Sequence, residues 1–418
     1  MSMQPRYTRV MTPSGVRDFL PREAARKRAV EAALKTTFER WGYEEVITPI
    51  VEFLESLAQS NGPDMAEKAY RLFDREGHTL ALRYDVTTPI ARIVATRLKD
   101  EPRPVRLHYV ANVFRHEELR AGRQREFWQA GVELVGAPGP AADAEIIALA
   151  ATALEAAGLR EFRLDIGQVG YFNGIIAGVE LERDVRRALR RALLQRDYVA
   201  LPQVVAETGL PESKQRLLNE LPRLQGRGEA IERALSLADN DGSRAAAENL
   251  AAVYRALEAY GVQDRVWVDF GMIKDLDYYT GMVLEGYSPD VGFPVCTGGR
   301  YDQLIAKFGV DCPATGFVIG VERIMQALEG QSAPGEDGRP APAWLVASDA
   351  AGRTQAIEAA ARLRADGLRV VADVMERSLD EALEYARARG IENVAFFTAG
   401  SRRTFHGPGL QEREGGPC

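Results

Sequence analysis

The chain reads FRHEELRAGRQREFWQAGVE over residues 114–133, and this stretch decides the fold. Strand-like apolar runs at 107–114 and 127–135 flank a polar segment that contains glycine, so the pattern predicts an antiparallel hairpin with a long loop. Side chains two residues apart on a strand point to the same face, which places the polar side chains of Gln129 and Glu133 together. Taken alone, these two polar groups are also what a solvated sheet face would carry.

Elements on both sides of this hairpin extend the pattern. Apolar residues at helical spacing predict a helix over 22–41 that stops at Gly42, and an alanine-rich helix over 141–157 precedes a strand at 162–166. Further strand-like runs lie at residues 43–48, 266–270, 282–286 and 317–319.

Composition divides the chain into a large and a small domain. Residues 1–329 form the large domain, in which residues 180–260 are rich in Arg, Leu and Glu and are interpreted as a helical insertion. Residues 330–342 are dense in Gly, Pro and Ser without periodicity, which is typical of a linker. Strands alternate with helices over 343–400, so this segment predicts a small α/β domain of parallel type. The Gly- and Arg-rich tail, 401–418, is expected to be disordered.

Charge and cysteine usage bound the class of protein. The 418 residues carry a formal net charge of −7, whereas a protein that mainly grips a phosphate backbone usually has an excess of Lys and Arg. Cys296, Cys312 and Cys418 show neither metal-ligand spacing nor a disulfide framework, so a reduced cytoplasm is the expected setting. We find no apolar run of the signal-peptide kind and none that approaches the ~20 apolar residues of a membrane span. The histidines are not at ligand spacing either, so no metal site is expected.

Three separated segments contain the polar groups that could carry chemistry. Besides the hairpin, they are KDLDYYTG over 274–281 and the pair formed by GGRYD over 298–302 and GFVIGVER over 316–323. Glycines beside an arginine would let backbone and guanidinium approach a phosphate or a base plane closely. Each segment by itself is weak evidence, because a charged turn or a glycine-rich strand needs no ligand.

Taken together and in this order, the segments closely resemble the histidyl-tRNA synthetase family and its non-charging relative, the regulatory subunits of ATP phosphoribosyltransferase. Residues 42–49, 114–133 and 316–323 resemble the three class II synthetase motifs, and 277–279 with 298–302 resemble the histidine-specific segments. The match covers nearly the whole chain. It implies an α/β chain of the α+β type, with a class II synthetase-like antiparallel sheet, flanking helices and a helical insertion. It also implies that the small C-terminal α/β domain is similar to an anticodon-binding domain.

The same resemblance implies ligand contacts residue by residue. Glu133 and Tyr279 would bind the two ring nitrogens of histidine, while Gln129 and Thr87 would hold the polar groups of its backbone. The full set of implied histidine-binding residues is Asp85, Thr87, Arg115, Gln129, Glu133, Lys274, Tyr278 and Tyr279. The residues that match the ATP clamp of charging enzymes, and that would be vestigial here, are Arg115, Arg123, Phe127 and Arg323.

Departures from the charging family favour a histidine sensor. Asp85 and Val86 stand where a charging enzyme has glutamate and glycine, so the acidic side chain is shorter and the backbone cannot come as close to a ligand. Lys274 and Asp275 replace arginine and glycine, which removes a planar guanidinium fork and adds a negative charge where ATP would bring several more. The C-terminal segment 376–384 carries acidic residues that would repel an RNA backbone.

We therefore expect a non-catalytic regulatory subunit. The resemblance implies a short catalytic ATP phosphoribosyltransferase subunit as partner, in the first step of histidine biosynthesis, with L-histidine as the feedback inhibitor and no other cofactor. It also implies a homodimer through the first motif, around Pro49, within a hetero-octamer, and neither tRNA nor a membrane as partner. The alternative is an active histidyl-tRNA synthetase, which the surviving histidine and ATP contacts would suit equally well.

Overall fold

The computed structural model describes residues 11–116, 124–179, 181–273, 279–331 and 343–413. The chain divides into two compact units, residues 1–336 and 337–418. The division falls inside the segment that composition marks as a linker.

The first unit contains one large sheet and one small sheet. Its strands are, in chain order, β1 (Glu44–Glu45), β2 (Val51–Phe53), β3 (Arg71–Phe73), β4 (Thr79–Leu82), β5 (Val105–Phe114), β6 (Glu126–Val135), β7 (Arg163–Gln168), β8 (Gln225–Gly226), β9 (Val266–Asp269), β10 (Met282–Tyr287), β11 (Cys296–Arg300) and β12 (Ala314–Gly320). Its helices are α1 (Pro21–Arg40), α2 (Leu54–Glu67), α3 (Thr87–Thr96), α4 (Pro140–Ala156), α5 (Val169–Ile175), α6 (Arg183–Leu194), α7 (Leu201–Glu207), α8 (Glu212–Glu220), α9 (Gly228–Leu237), α10 (Asp241–Ala259) and α11 (Val321–Gln331). The large sheet has the strand order β1-β5-β6-β12-β11-β10-β7-β9-β8, and the small sheet has the order β2-β4-β3.

The predicted hairpin is part of the large sheet. β5 and β6 pair antiparallel, with Val113 opposite Phe127 and Leu107 opposite Glu133. β12, β11, β10 and β7 continue the sheet with antiparallel pairing, while the β1–β5 and β7–β9 pairs are parallel. The prediction of an antiparallel sheet with flanking helices is confirmed.

The core lies on both faces of this sheet. On one face most alanines of α4, together with Ile146, Ile147 and Leu149, are buried around the middle of the helix, because α1 and α10 also pack against it. On the opposite face α3 packs over β5, where Ile90 and Val113 belong to one buried cluster. α3 therefore presents its first residues to the same sheet face that carries Glu133.

The predicted helical insertion contains α6 to α10. α10 packs against α4 and α5 and adds Ala247, Leu250 and Val253 to the main hydrophobic cluster. β8 extends the edge of the large sheet, where Gln225 pairs with Asp269. The insertion is thus joined to the sheet by a shared core and by backbone hydrogen bonds.

The second unit is a small α/β domain. Its strands are β13 (Trp344–Ser348), β14 (Val370–Ala372), β15 (Asn393–Thr398), β16 (Ser401–His406) and β17 (Gln411–Arg413), and its helices are α12 (Arg353–Ala365) and α13 (Leu379–Arg389). The strand order is β14-β13-β15-β16-β17. β14, β13 and β15 are parallel, as the alternation of strands and helices predicts.

The prediction that residues 401–418 are disordered is wrong for 401–413. β16 pairs antiparallel with β15 on one side and with β17 on the other. Phe405 and Leu410 are each 5% exposed and pack in one cluster with Leu345. Composition conceals these strands, because two apolar side chains among many Gly and Arg residues are enough to bury one side of the segment. The last five residues lie outside the described part of the chain.

Two further differences concern the first unit. The strand predicted at 43–48 is reduced to β1, and Arg83 holds the chain beyond it by donating to the Thr48 carbonyl over 2.7 Å and to the Asn112 carbonyl over 2.8 Å. β11 does not follow from apolar alternation, because its glycines remove the side chains that mark a strand. Among the described helices, none is both long and apolar enough to cross a membrane.

Candidate functional site

Glu133 is the buried carboxylate at the centre of the site. It lies on β6 and is 2% exposed. The Thr87 hydroxyl donates to Oε1 over 2.7 Å, and the Tyr301 hydroxyl donates to Oε2. Burial raises the pKa of Glu133 to about 8, while the two hydroxyl donors act in the opposite direction and the charge of Asp85 raises the pKa further. Glu133 therefore binds a proton more tightly than an exposed glutamate, and a ligand that donates a hydrogen bond to it would favour its ionised form.

Glycines on β12 and β11 allow side chains of the candidate site to lie close to the backbone of these strands. Gly316 is the cross-strand partner of Glu133 and in turn pairs with Gly299. A Cβ atom on Gly316 would lie 2.1 Å from Oε2 of Glu133, and one on Gly299 would lie 2.9 Å from the ring of Tyr279. The strip without side chains across β12 and β11 thus lets Glu133 and Tyr279 both lie close against the sheet.

Tyr109 is a second buried polar group of the site. It is 2% exposed and faces Gly131 across the β5–β6 ladder. Burial raises the pKa of the phenol well above its usual value, and the charges of Glu133 and Asp85 add to this effect. The phenol of Tyr109 therefore stays protonated at neutral pH.

Asp85 and Val86 serve the start of α3. Asp85 accepts from the Thr88 backbone over 2.8 Å and from the Thr88 hydroxyl over 3.1 Å, so its carboxylate caps this helix. Val86 is 1% exposed and belongs to the cluster that α3 forms over β5. Asp85 and Val86, two of the residues that differ from the charging family, are thus engaged in capping and packing beside Glu133.

Gln129 occupies the same face of β6, four residues before Glu133. It is buried and lies opposite Ala111 on one side and Gly320 on the other. The register of β6 places the side chains of Gln129 and Glu133 on one face of the sheet, as alternation along the strand predicts.

The residues assigned to a vestigial ATP clamp fall into two places. The Arg115 guanidinium lies 5.2 Å from the centre of the Phe127 ring, and its Nε donates to the Tyr84 carbonyl over 2.8 Å. Arg323 is exposed at the start of α11, where it donates to the Pro294 carbonyl and lies 4.8 Å from the centre of the Phe293 ring. Arg123, Lys274 and Tyr278 lie outside the described residues, so their predicted roles stay predictions.

Tyr301 and Tyr109 contribute to the site but are not among the binding residues that the sequence motifs imply. Tyr301 sits inside a quoted motif, but its contact with Glu133 joins positions 168 residues apart. Tyr109 could have been found by alternation, because β5 places it on the same face as the partner of Glu133, Leu107.

Arg300 has a different role from the one that its glycine neighbours indicate. Its guanidinium is buried, pairs with Asp143 and Asp302, and donates to the carbonyls of Ala137 and Gly139. These partners satisfy the guanidinium inside the protein. Arg300 therefore ties the end of β11 to the start of α4 instead of approaching a phosphate.

A carboxylate–histidine group lies on the turn between β3 and β4. Asp74, Glu76 and His78 bring potential ligand atoms within 4.8 Å of one another, which spacing in the sequence does not indicate. Asp74 accepts from the backbone of Glu76 and His78 and from the His78 ring. A hairpin turn by itself requires these bonds, so the cluster needs no ion to explain it.

Comparison with known proteins places this geometry in a family. The family described as histidyl-tRNA synthetase matches residues 15–324. The chain is 46% identical to an ATP phosphoribosyltransferase regulatory subunit of Symbiobacterium thermophilum, over 93% of this chain and 96% of that protein. A second regulatory subunit, from Desulforamulus reducens, is 42% identical over 92% of this chain and 94% of that protein.

The chain belongs to the ATP phosphoribosyltransferase regulatory subunit family. A solved structure from Bacillus halodurans C, described as an ATP phosphoribosyltransferase regulatory subunit/histidyl-tRNA synthetase, has a TM-score of 0.82 at 34% identity and covers 93% of this chain and 98% of its own. The expectation that the chain is a non-catalytic subunit of an enzyme complex is confirmed.

Proposed function

We propose that this regulatory subunit binds L-histidine, the end product of the pathway, at the site around Glu133. The proposal is carried by one observation, a buried carboxylate held by Thr87 and Tyr301 next to Tyr279 on a strip of glycines. Neutral imidazole offers one donor and one acceptor, so a carboxylate and a phenol together satisfy both ring nitrogens. An apolar side chain of the same size would leave these polar groups without partners and is therefore rejected.

Two features favour sensing over charging: the groups beside the pocket and, separately, the charge of the C-terminal unit. The Asp85 carboxylate is engaged with Thr88, and Val86 fills a buried position where a glycine would allow closer approach. In the C-terminal unit, α13 exposes the acidic side chains of Asp380, Glu381 and Glu384. These charges disfavour an RNA partner, which supports a subunit that neither activates histidine nor binds tRNA.

We propose a short catalytic ATP phosphoribosyltransferase subunit as the partner, in a hetero-octamer. Feedback then requires that histidine bind two states of this complex with unequal affinity. No cofactor besides the regulatory ligand is needed for such a shift. A cytoplasmic location is supported by Cys296 and Cys312, which are buried and form no disulfide with another described residue.

We also propose a homodimer through the segment around Pro49. Exposed apolar side chains cluster along the chain on this segment and on the small sheet that follows it, namely Ile47, Ile50, Val51, Phe53, Leu72 and Phe73. A patch of this kind is unfavourable in water and typical of a protein interface. Arg83 fixes its backbone by donating to the carbonyls of Thr48 and Pro49.

A feedback assay tests the histidine site. The chain is combined with the short catalytic subunit, and phosphoribosyltransferase activity is measured against histidine concentration. Glu133→Ala is expected to weaken inhibition by histidine at least about tenfold, because a hydrogen bond to a buried charged group contributes roughly 1.5–3 kcal/mol. Assembly with the catalytic subunit should persist, since Glu133 is buried inside the unit.

Glu145→Ala is the matched control for this assay. Glu145 lies on α4 and is bonded to Tyr43 and Arg106, so the change removes a tyrosine-bonded carboxylate away from the site. It should leave inhibition unchanged. Unaltered inhibition in Glu133→Ala would contradict the site assignment.

ATP–pyrophosphate exchange separates the two functions. The purified chain with histidine and ATP is expected to show no exchange above background. Robust exchange would establish the charging function and overturn the regulatory one.

A further inference from the structure

The loop between β14 and α13, residues 373–378, presents two neighbouring apolar side chains to solvent. Val374 is 85% exposed and Met375 is 68% exposed. Single exposed apolar residues are common on protein surfaces, whereas adjacent ones are a feature of surfaces that bind another molecule. The exposed pair is therefore a candidate contact of the C-terminal unit.

Asp373 holds this loop in one conformation. Its carboxylate accepts from the backbone N–H groups of Met375, over 3.4 Å, and Arg377, over 2.8 Å, and from the Arg377 guanidinium. Glu376 has a φ of 55°, which a residue other than glycine keeps only where its surroundings hold it, and its carboxylate pairs with Arg353. Because the loop is already ordered, a partner that binds it has less conformational entropy to remove.

A cavity of about 400 Å³ lies beside Met375. Its lining combines a thioether, an aromatic ring and charged groups, from Met375, Arg377, Glu381, Glu384, Tyr385 and Ala388. The Arg377 guanidinium lies 4.3 Å from the centre of the Tyr385 ring, and its charge is balanced by Asp373. The carboxylates of Glu381 and Glu384 therefore give the cavity an excess of negative charge.

This charge selects the kind of partner. Glu384 forms no hydrogen bond or ion pair with another described residue, and Asp380, one turn before it on α13, adds a further negative charge. RNA or an acidic surface would be repelled, whereas an Arg or Lys would pair with Glu384 while its methylene stem covers Met375. A small cation could fill the cavity but would leave Val374 in water. A polypeptide segment that combines a positive charge with an apolar side chain fits both features.

We propose that this docking surface, formed by Val374, Met375, Glu381 and Glu384, binds a segment of the catalytic ATP phosphoribosyltransferase subunit that carries an Arg or Lys beside an apolar side chain. This inference rests on the proposed function and names a surface for its partner. The apolar segment around Pro49 is assigned to the homodimer, so the docking surface serves a different contact.

Charge reversal in Glu384→Arg and charge insertion in Met375→Asp test the docking surface. The full-length chain is titrated with the purified catalytic subunit, and the apparent dissociation constant of the complex is measured by calorimetry at two salt concentrations. Each variant should weaken assembly at least about tenfold, because the first places like charges opposite each other and the second inserts a charge into an apolar contact. The wild-type complex should weaken as salt rises, and this dependence should be smaller in Glu384→Arg. Both side chains are exposed, so neither variant should unfold, which thermal unfolding checks.

Glu358→Arg and Ile357→Asp are the matched controls. They change an exposed acidic residue of α12 and its apolar neighbour, which is 61% exposed. Val346 belongs to the cluster under α12 and Leu345 to the cluster under α13, so the two helices cover opposite faces of β13. The controls carry the same changes of charge and hydropathy away from the cavity, and assembly should be unaltered.

Wild-type affinity in Glu384→Arg and Met375→Asp, or equal weakening in the controls, would overturn the docking surface alone. Sedimentation of Met375→Asp without the catalytic subunit should match that of the wild-type chain. Altered self-association would assign the surface to a second copy of the chain and overturn the inference. If the unaltered chain did not bind the catalytic subunit, the proposed function would fail together with this inference.

Discussion

At the scale of single residues, Glu133 shows how a motif position acquires its chemistry. Alternation along β6 places its side chain on the same face as Gln129. The hydroxyls of Thr87 and Tyr301 then supply its hydrogen bonds, and burial supplies the raised pKa. A carboxylate with the same sequence neighbours on an exposed face would have neither property.

The stability of the chain should depend on pH through Glu133. Its pKa of about 8 in the folded state lies above the ordinary glutamate value of 4.5, so the folded state holds the proton more tightly than the unfolded state. The stabilisation is complete below pH 4.5 and is lost as pH rises through 8, by a few kcal/mol at most. Glu133→Gln cannot titrate, so its free energy of unfolding should rise relative to wild type between pH 5 and 8.

Urea unfolding at pH 5, 6, 7 and 8 measures this difference. Both chains contain the buried ring of His108, whose pKa is lowered by burial. Its titration therefore cancels in the difference between their free energies of unfolding. Glu145→Gln serves as control, because the pKa of Glu145 is lowered and its titration falls below this window. A constant difference between Glu133→Gln and wild type would contradict the assignment of a raised pKa.

At the scale of elements, the sequence predicts the hairpin of β5 and β6 but not the pair of β16 and β17. Two long, strand-like apolar runs indicate the hairpin in the sequence. β16 and β17 carry few apolar side chains, so their pairing depends on β15 being next to them. Local sequence pattern predicts strands that are rich in apolar side chains, whereas strands with few of them form only where a neighbouring strand pairs with them.

Truncation after Gly400 tests the structural role of these strands. It removes Phe405 and Leu410 from a cluster with Leu345, which should destabilise the C-terminal unit by at least about 3 kcal/mol. Hydrogen exchange in β13 and β15 should then become faster. Truncation after Arg413 is the control and should leave exchange unchanged; equal protection in both chains would mean that β16 and β17 do not support the core.

At the scale of the whole molecule, the large sheet places the ligand site and the apolar segment around Pro49 on one unit. Arg83 links the two, because it holds Thr48 and Pro49 while the residues that follow it lead into α3 and Thr87. The proposed histidine site and the proposed dimer segment are therefore connected by a short stretch of chain.

The proposed dimer is tested by Ile47→Glu, at a side chain that is 85% exposed. A change at so exposed a position should not unfold the chain, but a buried charge in the interface should dissociate the dimer. Sedimentation of the purified chain measures the outcome. Val199→Glu, at a side chain that is 88% exposed on the insertion, is the control; an intact dimer in Ile47→Glu would place the interface elsewhere.

The sequence by itself determined the hairpin, the main helices, the two-domain order and the family motifs, because these depend on residue patterns that are local along the chain. Only the tertiary structure decided which groups meet Glu133, since Thr87 and Tyr301 are 46 and 168 residues away. It also decided that Arg300 is satisfied by Asp143 inside the protein. Such contacts follow from strand register and sheet order, which bring distant side chains together and which no local period encodes.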